Sequence, residues 1–164
     1  MVNGLTNTPF FLPANSSICL LQTNVGPIVL SVNPYRDVGN PLTLTSTKEA
    51  ASCSPELSKV VQEAVRMQGE TGYPQAIIVS GASGSGKTFT SMTLLRKLFE
   101  VAGAGGSHET DTFKHLAAAF TVLRSLCAAK TATNRESSRV GHFIEVQASV
   151  SQYVMFKFTA IFSQ

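Results

Sequence analysis

Hydrophobic residues at helical spacing form the clearest pattern in the chain. Between residues 54 and 72, apolar side chains recur at intervals of three and four, which places them on one helix face. These positions are Leu57, Val60, Val61, Ala64 and Val65. Ser54 followed by Pro55 is typical of a helix start, because serine caps free N–H groups and proline suits the first turn. Gly69 and Gly72 predict its end.

The same spacing predicts two further helices. One begins after Lys87 and stops at Gly103, and the other is capped by Asp111 or Thr112. The apolar face of the first comprises Met92, Leu94, Leu95, Leu98 and Phe99. The apolar face of the second comprises Phe113, Leu116, Ala117, Phe120, Leu123 and Cys127. We expect the glycine-rich residues 102–109 to form a loop between them.

Four stretches have the character of strands. Residues 25–32 are β-branched and apolar, whereas the residues before them predict no clear element. Residues 76–79 form a short apolar run between turn residues, which is typical of a buried parallel strand. Residues 143–146 and 153–162 predict two more strands after a polar loop at 128–139. Because strands alternate with helices of crossover length, the sequence predicts an α/β fold whose mixed or parallel sheet is flanked by helices.

Composition narrows the class of protein. Charged residues make up 14% of the 164 residues, against about 25% in typical soluble domains. A fraction this low is expected for a slice of a larger core and also suits a compact domain with few charges. The net charge of +3 gives no indication of a nucleic-acid partner. Cys19, Cys53 and Cys127 are odd in number and widely spaced, which argues against a disulfide framework. The apolar stretch 153–162 is too short to span a membrane.

The most informative stretch is rich in glycine and follows the predicted strand at 76–79. Its residues are Gly81, Ala82, Ser83, Gly84, Ser85, Gly86, Lys87 and Thr88, in the pattern G-x-x-x-x-G-K-T. Glycines let backbone N–H groups curve around a polyphosphate, the lysine supplies positive charge, and the threonine hydroxyl can bind Mg²⁺. The alternative is a glycine-rich surface turn. The order of strand, loop and helix favours a phosphate-binding loop instead.

A hydroxyl-rich segment lies between the third predicted helix and the next strand. It contains Asn134, Ser137, Ser138 and Arg139. By itself this segment is typical of a structural polar loop. Behind a phosphate loop, however, it suits the second segment that phosphoryl-transfer enzymes use to contact the γ-phosphate and to complete the Mg²⁺ shell.

Taken together, several segments resemble the nucleotide-binding part of a myosin motor head. Residues 81–88 resemble the myosin phosphate loop G-E-S-G-A-G-K-T, and residues 134–143 resemble switch I, N-x-x-S-S-R-F-G-K-F. Residues 29–36 resemble the strand and the N-P-Y-K turn beside the adenine, and residues 63–66 resemble E-A-Y-R. Kinesins share the first two elements. The N-P-Y turn and the short separation of the phosphate loop from S-S-R favour a myosin-like over a kinesin-like protein.

The resemblance implies roles for individual residues. Lys87 would contact the β- and γ-phosphates, whereas Thr88 and Ser138 would bind Mg²⁺. Ser137 would face the γ-phosphate and the attacking water, and Asn134 would bridge to the phosphates. The residues that would border the adenine are Asn33, Pro34, Tyr35 and Arg36.

The resemblance also divides the chain and implies what it lacks. Residues 1–22 would be a lead-in, residues 23–147 a partial motor domain and residues 148–164 a divergent tail. No switch II sequence of the type D-I-x-G-F-E occurs. Arg139 would therefore lack its usual glutamate, and this chain alone would hydrolyse ATP inefficiently. The family implies an actin filament as partner and a cytoplasmic, cytoskeleton-associated location. We expect the ATP-binding portion of an actin-dependent motor or, alternatively, a truncated or degenerate nucleotide-binding module without motor activity.

Overall fold

Helices and short sheets alternate along the chain. The computed structural model describes residues 21–33, 35, 54–102, 107–148 and 154–162. The helices are Pro55–Thr71 (α1), Lys87–Ala102 (α2) and Ser107–Cys127 (α3). The strands are Leu21–Val25 (β1), Ile28–Val32 (β2), Ala128–Ala129 (β3), Ser137–Ser138 (β4), Val140–Ala148 (β5) and Val154–Phe162 (β6). This content confirms the α/β class in its general form. Within the described ranges, no helix combines the length and apolar content that crossing a bilayer requires.

The first two strands form an antiparallel hairpin that the sequence did not predict in full. The chain turns at Gly26, whose φ of +60° is a left-handed conformation that glycine adopts without a Cβ clash. Val25 pairs with Ile28 across this turn as the last residue of β1. The single strand predicted over 25–32 is therefore wrong at its start. Val29 of β2 packs toward α1.

The first helix begins and ends where the sequence predicts. Pro55 is its first residue, but within the described structure the Ser54 hydroxyl caps no backbone N–H group. The Ser54 carbonyl instead accepts the Ser58 N–H at 3.2 Å. At the other end Gly72 has φ +71° and donates its N–H to the Gln68 carbonyl, which is a left-handed helix cap.

The second helix lies at the centre of the core, with an apolar cluster on each side. Leu94 packs against Leu57 and Val61 of α1. Met92 and Leu95 pack in a second cluster. Its other buried members are Phe113, Leu116 and Phe120 of α3, and Ile144 and Val146 of β5 pack against them. Burying each such side chain contributes about 1.5–3 kcal/mol. The helix that follows the phosphate loop is thereby fixed on two sides, as its predicted apolar positions required.

The third helix begins earlier than the sequence predicts. It starts at Ser107 rather than after a cap at Asp111 or Thr112. Residues 107–109 are therefore helical, and the predicted loop at 102–109 is wrong over that part. Asp111 and Thr112, the predicted caps, lie inside the helix.

Two short strands pair with each other within residues 128–139, the segment that the sequence predicts to be a loop. Ala128 pairs with Ser138 and Ala129 pairs with Ser137, both antiparallel. β5 and β6 then pair along their whole lengths, from Val140 opposite Phe162 onward. These strands confirm the two that the sequence predicts near the C-terminus.

The described part of the chain holds three sheets, each of two antiparallel strands. Residues 76–79 are not a strand, contrary to the prediction. Val79 packs against the cluster between α1 and α2, whereas Ile78 is 86% exposed. No described strand lies beside this run, so it has no ladder of hydrogen bonds to fix it as a strand. The parallel part of the predicted sheet stays a prediction.

Candidate functional site

The glycine-rich segment forms a loop that closes over the first residue of α2. Lys87 Nζ turns back and donates to the Gly81 and Ala82 carbonyl oxygens, each at 2.7 Å. The Ser85 N–H donates to the same Ala82 oxygen at 3.2 Å. The loop therefore holds an ammonium group near the positive N-terminal end of a helix, an arrangement that attracts anions.

Two glycines give the loop a curvature that other residues would disturb. Gly84 has φ +79° and Gly86 has φ +94°, and both lie in the region that side chains with a Cβ rarely adopt. A methyl group added at Gly84 would lie 3.7 Å from Asn134 Nδ2. One added at Gly86 would lie 3.8 Å from Asn33 Cβ. Two asparagines from distant parts of the chain thus approach the loop.

A hydrogen-bonded turn shapes the hydroxyl-rich segment. The Thr131 N–H donates to the Asn134 carbonyl at 2.8 Å, and the Asn134 N–H donates to Thr131 Oγ1 at 3.0 Å. Asn134 Oδ1 accepts the Glu136 N–H at 3.1 Å. At the far end, the Arg139 N–H donates to the Cys127 carbonyl at 3.1 Å. Local bonds and the β3–β4 ladder therefore fix the path of this segment.

The two segments meet through three polar side chains. Ser83 Oγ and Ser137 Oγ lie 3.2 Å apart, and Asn134 Nδ2 donates to Ser83 Oγ at 3.4 Å. Ser137 is only 3% exposed. The structure thereby brings together the phosphate loop and the switch I-like segment, which the sequence predicted to share one site.

One cleft is lined by residues of both segments, although Gly81 and Ala82 are not among its lining residues. Its volume is about 920 Å³, and its lining includes Lys87, Thr88, Ser138 and Arg139. Ser138 Oγ donates to the Val140 carbonyl at 3.0 Å, which orients the hydroxyl group. Among the lining residues, Thr88 and Ser138 carry hydroxyl groups and Lys87 and Arg139 carry positive charge, a donor set that suits a metal-bound polyphosphate.

The predicted adenine-bordering residues are placed in part. Asn33 lies at the end of β2, lines the same cleft and donates through Nδ2 to the Gly84 carbonyl at 2.7 Å. Tyr35 is 83% exposed. Pro34 and Arg36 lie outside the described residues. The structure therefore ties Asn33 to the phosphate loop by a direct side-chain contact.

An ion pair that the sequence did not single out lies beside the cleft. Arg124 of α3 donates to the Glu136 carboxylate, and both residues line the cleft. The pair spans the end of α3 and the intervening turn, so no local sequence pattern signals it. It places a positive charge next to a carboxylate that precedes Ser137. The negative charge of Glu136 is thereby offset where anions are expected to bind.

His142 is a half-buried member of the cleft wall. Its ring centroid lies 5.1 Å from that of Phe120, in a tilted arrangement. Burial lowers the pKa of His142, because a desolvated imidazolium is disfavoured. The neutral ring therefore belongs to the apolar packing between β5 and α3 more than to the charged part of the cleft.

The fold and the site together define a class of protein. It is an α/β protein whose G-x-x-x-x-G-K-T loop contacts a second, hydroxyl-rich loop. Residues 16–156 match the family model of the myosin head (motor domain). The chain therefore belongs to the myosin head family. This result favours the myosin-like interpretation over the kinesin-like one.

Individual relatives agree with this assignment. The chain is 31% identical over 133 residues to myosin IA heavy chain of Dictyostelium discoideum, covering 78% of this chain and 13% of the relative. It is 35% identical to myosin-8 of Arabidopsis thaliana, in an alignment that covers 77% of this chain and 9% of the relative. It is 33% identical to myosin-D of Toxoplasma gondii, in an alignment that covers 87% of this chain and 18% of the relative. The chain thus corresponds to a portion of a myosin-type cytoskeletal motor and spans less than a fifth of the length of these relatives.

Proposed function

We propose that this chain binds ATP together with Mg²⁺ and forms the phosphate-binding part of an actin-dependent motor. The observation that carries the proposal is the 3.2 Å contact between Ser83 Oγ and Ser137 Oγ, which joins two loops around one cleft. The proposal includes a cytoplasmic, cytoskeleton-associated location and an actin filament as partner. It also includes a P-loop NTPase sheet with a parallel part, as expected for the family.

The phosphate loop fits a polyphosphate in shape and charge. Gly84 and Gly86 have positive φ angles and carry no Cβ atom, so the backbone can curve closely around a polyphosphate. Lys87 Nζ donates to two carbonyl oxygens rather than to a carboxylate. Its positive charge is therefore available to phosphate oxygens, which are stronger acceptors than carbonyls. The backbone N–H groups of Ala82 and Ser83 would also contact the phosphates.

Two hydroxyl groups of the cleft suit a magnesium ion. Thr88 follows the lysine at the start of α2, and Ser138 lies in β4. Both line the cleft, and hydroxyl oxygens are among the hard ligands that Mg²⁺ prefers. When bound, Mg²⁺ would offset the negative charge of the β- and γ-phosphates. We assign Thr88 and Ser138 as its protein ligands.

The remaining residues would position the reacting groups. Ser137 would orient the attacking water and the γ-phosphate, because its buried hydroxyl already contacts the phosphate loop. Asn134 would contact the phosphates through an amide whose oxygen is engaged by the Glu136 N–H. Arg139 would pair with a switch II carboxylate. The turn that would border the adenine comprises Asn33, Pro34, Tyr35 and Arg36.

Calorimetric titration of the full chain with Mg-ATP tests this proposal. We expect saturable one-to-one binding by the wild type and a loss of at least about tenfold in affinity for Lys87→Ala, which corresponds to about 1.4 kcal/mol. Lys59→Ala is the matched control, because Lys59 is 67% exposed and pairs with Glu56 on α1. Absence of binding by a folded wild type, or equal affinity of Lys87→Ala, would contradict the proposal.

A further inference from the structure

We infer that Asn33 is a positioning residue of the phosphate loop, acting through the Gly84 carbonyl rather than through the nucleotide base. The inference rests on the proposed function. Asn33 Nδ2 donates to the Gly84 oxygen at 2.7 Å, across 51 residues of sequence. It is a direct side-chain bond from the β2 hairpin to the curved part of the loop.

The Asn33 amide is held at both of its polar ends. While Nδ2 donates to Gly84, Oδ1 accepts the Tyr35 N–H at 2.9 Å. This second bond is an Asx turn, and Tyr35 adopts φ +51° within it. Rotating the amide by half a turn would break both bonds, so its donor is fixed toward the loop. The turn after β2 therefore presents a preset donor to Gly84.

Fixing the Gly84 carbonyl also fixes the next N–H group. In a planar trans peptide the C=O and N–H bonds point in opposite directions. With the Gly84 oxygen held by Asn33, the Ser85 N–H points to the other side, where it donates to the Ala82 carbonyl at 3.2 Å. This is the side on which Lys87 Nζ lies against the same Ala82 oxygen.

Glycine makes this restraint necessary. Gly84 can occupy many backbone conformations, so its peptide would rotate readily without an external partner. A methyl group at Gly84 would lie 3.7 Å from Asn134 Nδ2. Asn33 and Asn134 thus both approach Gly84, and Asn33 supplies the hydrogen bond that selects one peptide orientation. Asn33 would then act on phosphate binding even where no base is present.

The test compares two probes, Mg-ATP and magnesium tripolyphosphate, by calorimetry on the full chain. Asn33→Leu and Asn33→Ala both remove the donor to Gly84 and the acceptor for the Tyr35 N–H, and neither adds a charge beside the phosphates. Asn24→Ala is the matched control, because Asn24 lies at the other end of the same hairpin and contacts Glu56 instead. We expect both Asn33 variants to weaken the two probes by the same factor, about two- to tenfold for one hydrogen bond. The control should bind both probes as the wild type does.

A second readout separates positioning from a general loss of structure. In the protein without ligand, the amide resonances of Gly84, Ser85 and Gly86 should shift in both Asn33 variants while the thermal midpoint falls by no more than about 4 °C, because the net value of one hydrogen bond is about 1 kcal/mol. Unchanged resonances together with unchanged tripolyphosphate affinity would overturn the inference. Weakened Mg-ATP binding with unchanged tripolyphosphate binding would overturn it in favour of a base contact. If the folded wild type binds neither probe, the proposed function fails first and the inference with it.

Discussion

Ser83 and Ser137 place their hydroxyl oxygens 3.2 Å apart, although 54 residues separate them in the sequence. Ser83 belongs to the glycine-rich loop and Ser137 to β4, which the short ladder with β3 holds in place. The contact makes one cleft of two segments whose sequence patterns each suggest phosphate chemistry. The stability of this contact can be measured apart from any ligand.

We predict that Ser83 and Ser137 are energetically coupled. A double-mutant cycle with Ser83→Ala and Ser137→Ala should give a coupling of about 0.5–1.5 kcal/mol in the free energy of unfolding, the net value of one hydrogen bond. Urea unfolding followed by circular dichroism measures it. Ser125→Ala is the control partner, because Ser125 Oγ donates to the Thr121 carbonyl within α3. Coupling equal to that of the control would contradict the prediction.

Replacing Gly69 within α1 and Gly72 at its C-terminal cap by alanine should change the free energy of unfolding in opposite directions. A methyl group at Gly69 meets nothing within 4 Å, so Gly69→Ala should raise the free energy of unfolding by about 0.5–1 kcal/mol. Gly72 is the left-handed helix cap with φ +71°, so Gly72→Ala should lower it by roughly 1–2 kcal/mol. Denaturant unfolding compares both variants with the wild type. Shifts of the same sign would disprove the assigned end of the helix.

The packing between α2 and α3 should depend on Phe120. This side chain is 3% exposed and lies in the cluster with Leu95 and Phe113. Phe120→Ala should cost about 3–5 kcal/mol, because it removes apolar contacts and leaves a cavity. Leu126→Ala on the same helix is the control, since Leu126 is 78% exposed and should change stability by less than about 0.5 kcal/mol.

If Phe120→Ala is too unstable to measure, Phe120→Leu retains part of the packing and should still be less stable than Leu126→Ala. Equal unfolding midpoints for the Phe120 and Leu126 variants would mean that α3 does not pack through the assigned face.

Acidification should destabilise the folded chain through His142. Burial lowers the pKa of His142 in the folded state, whereas the unfolded imidazole titrates near its ordinary value of about 6.5. As the pH falls below about 6.5, the unfolded chain binds a proton before the folded chain does, so the free energy of unfolding decreases. Above that pH the contribution is fully present.

Urea unfolding of the wild type and of two histidine variants, at several pH values between about 5 and 8, measures this effect. His142→Gln should flatten the pH dependence in that window, whereas His115→Gln, at an exposed position of α3, should retain it. A steep dependence that survives in His142→Gln would assign the effect to another group.

Local signals explain what could be predicted from the sequence. The bounds of α1 follow from Pro55 and Gly72, and the phosphate loop follows from the spacing of its glycines before Lys87. These features depend on residues within a few positions of each other. For the same reason the apolar face of α2 was predicted correctly.

Features that depend on distant partners could not be predicted. Residues 76–79 have the composition of a buried strand, but no described strand lies beside them. The pair of Arg124 with Glu136 and the bond from Asn33 to Gly84 join segments whose approach only the fold determines. The resemblance implies that Asn33 borders the adenine, and the structure adds a hydrogen bond from its amide to the Gly84 carbonyl.

The most direct test of a single site made from both loops is residue-specific NMR during titration of the full chain with Mg-ATP. We predict that amide resonances of residues 81–88 and of residues 134–139 shift together, in one saturable step with a common midpoint. Resonances on the exposed side of α1, such as Lys59, should stay in place. Shifts confined to one loop, separate midpoints for the two loops, or no shift in either would contradict the account.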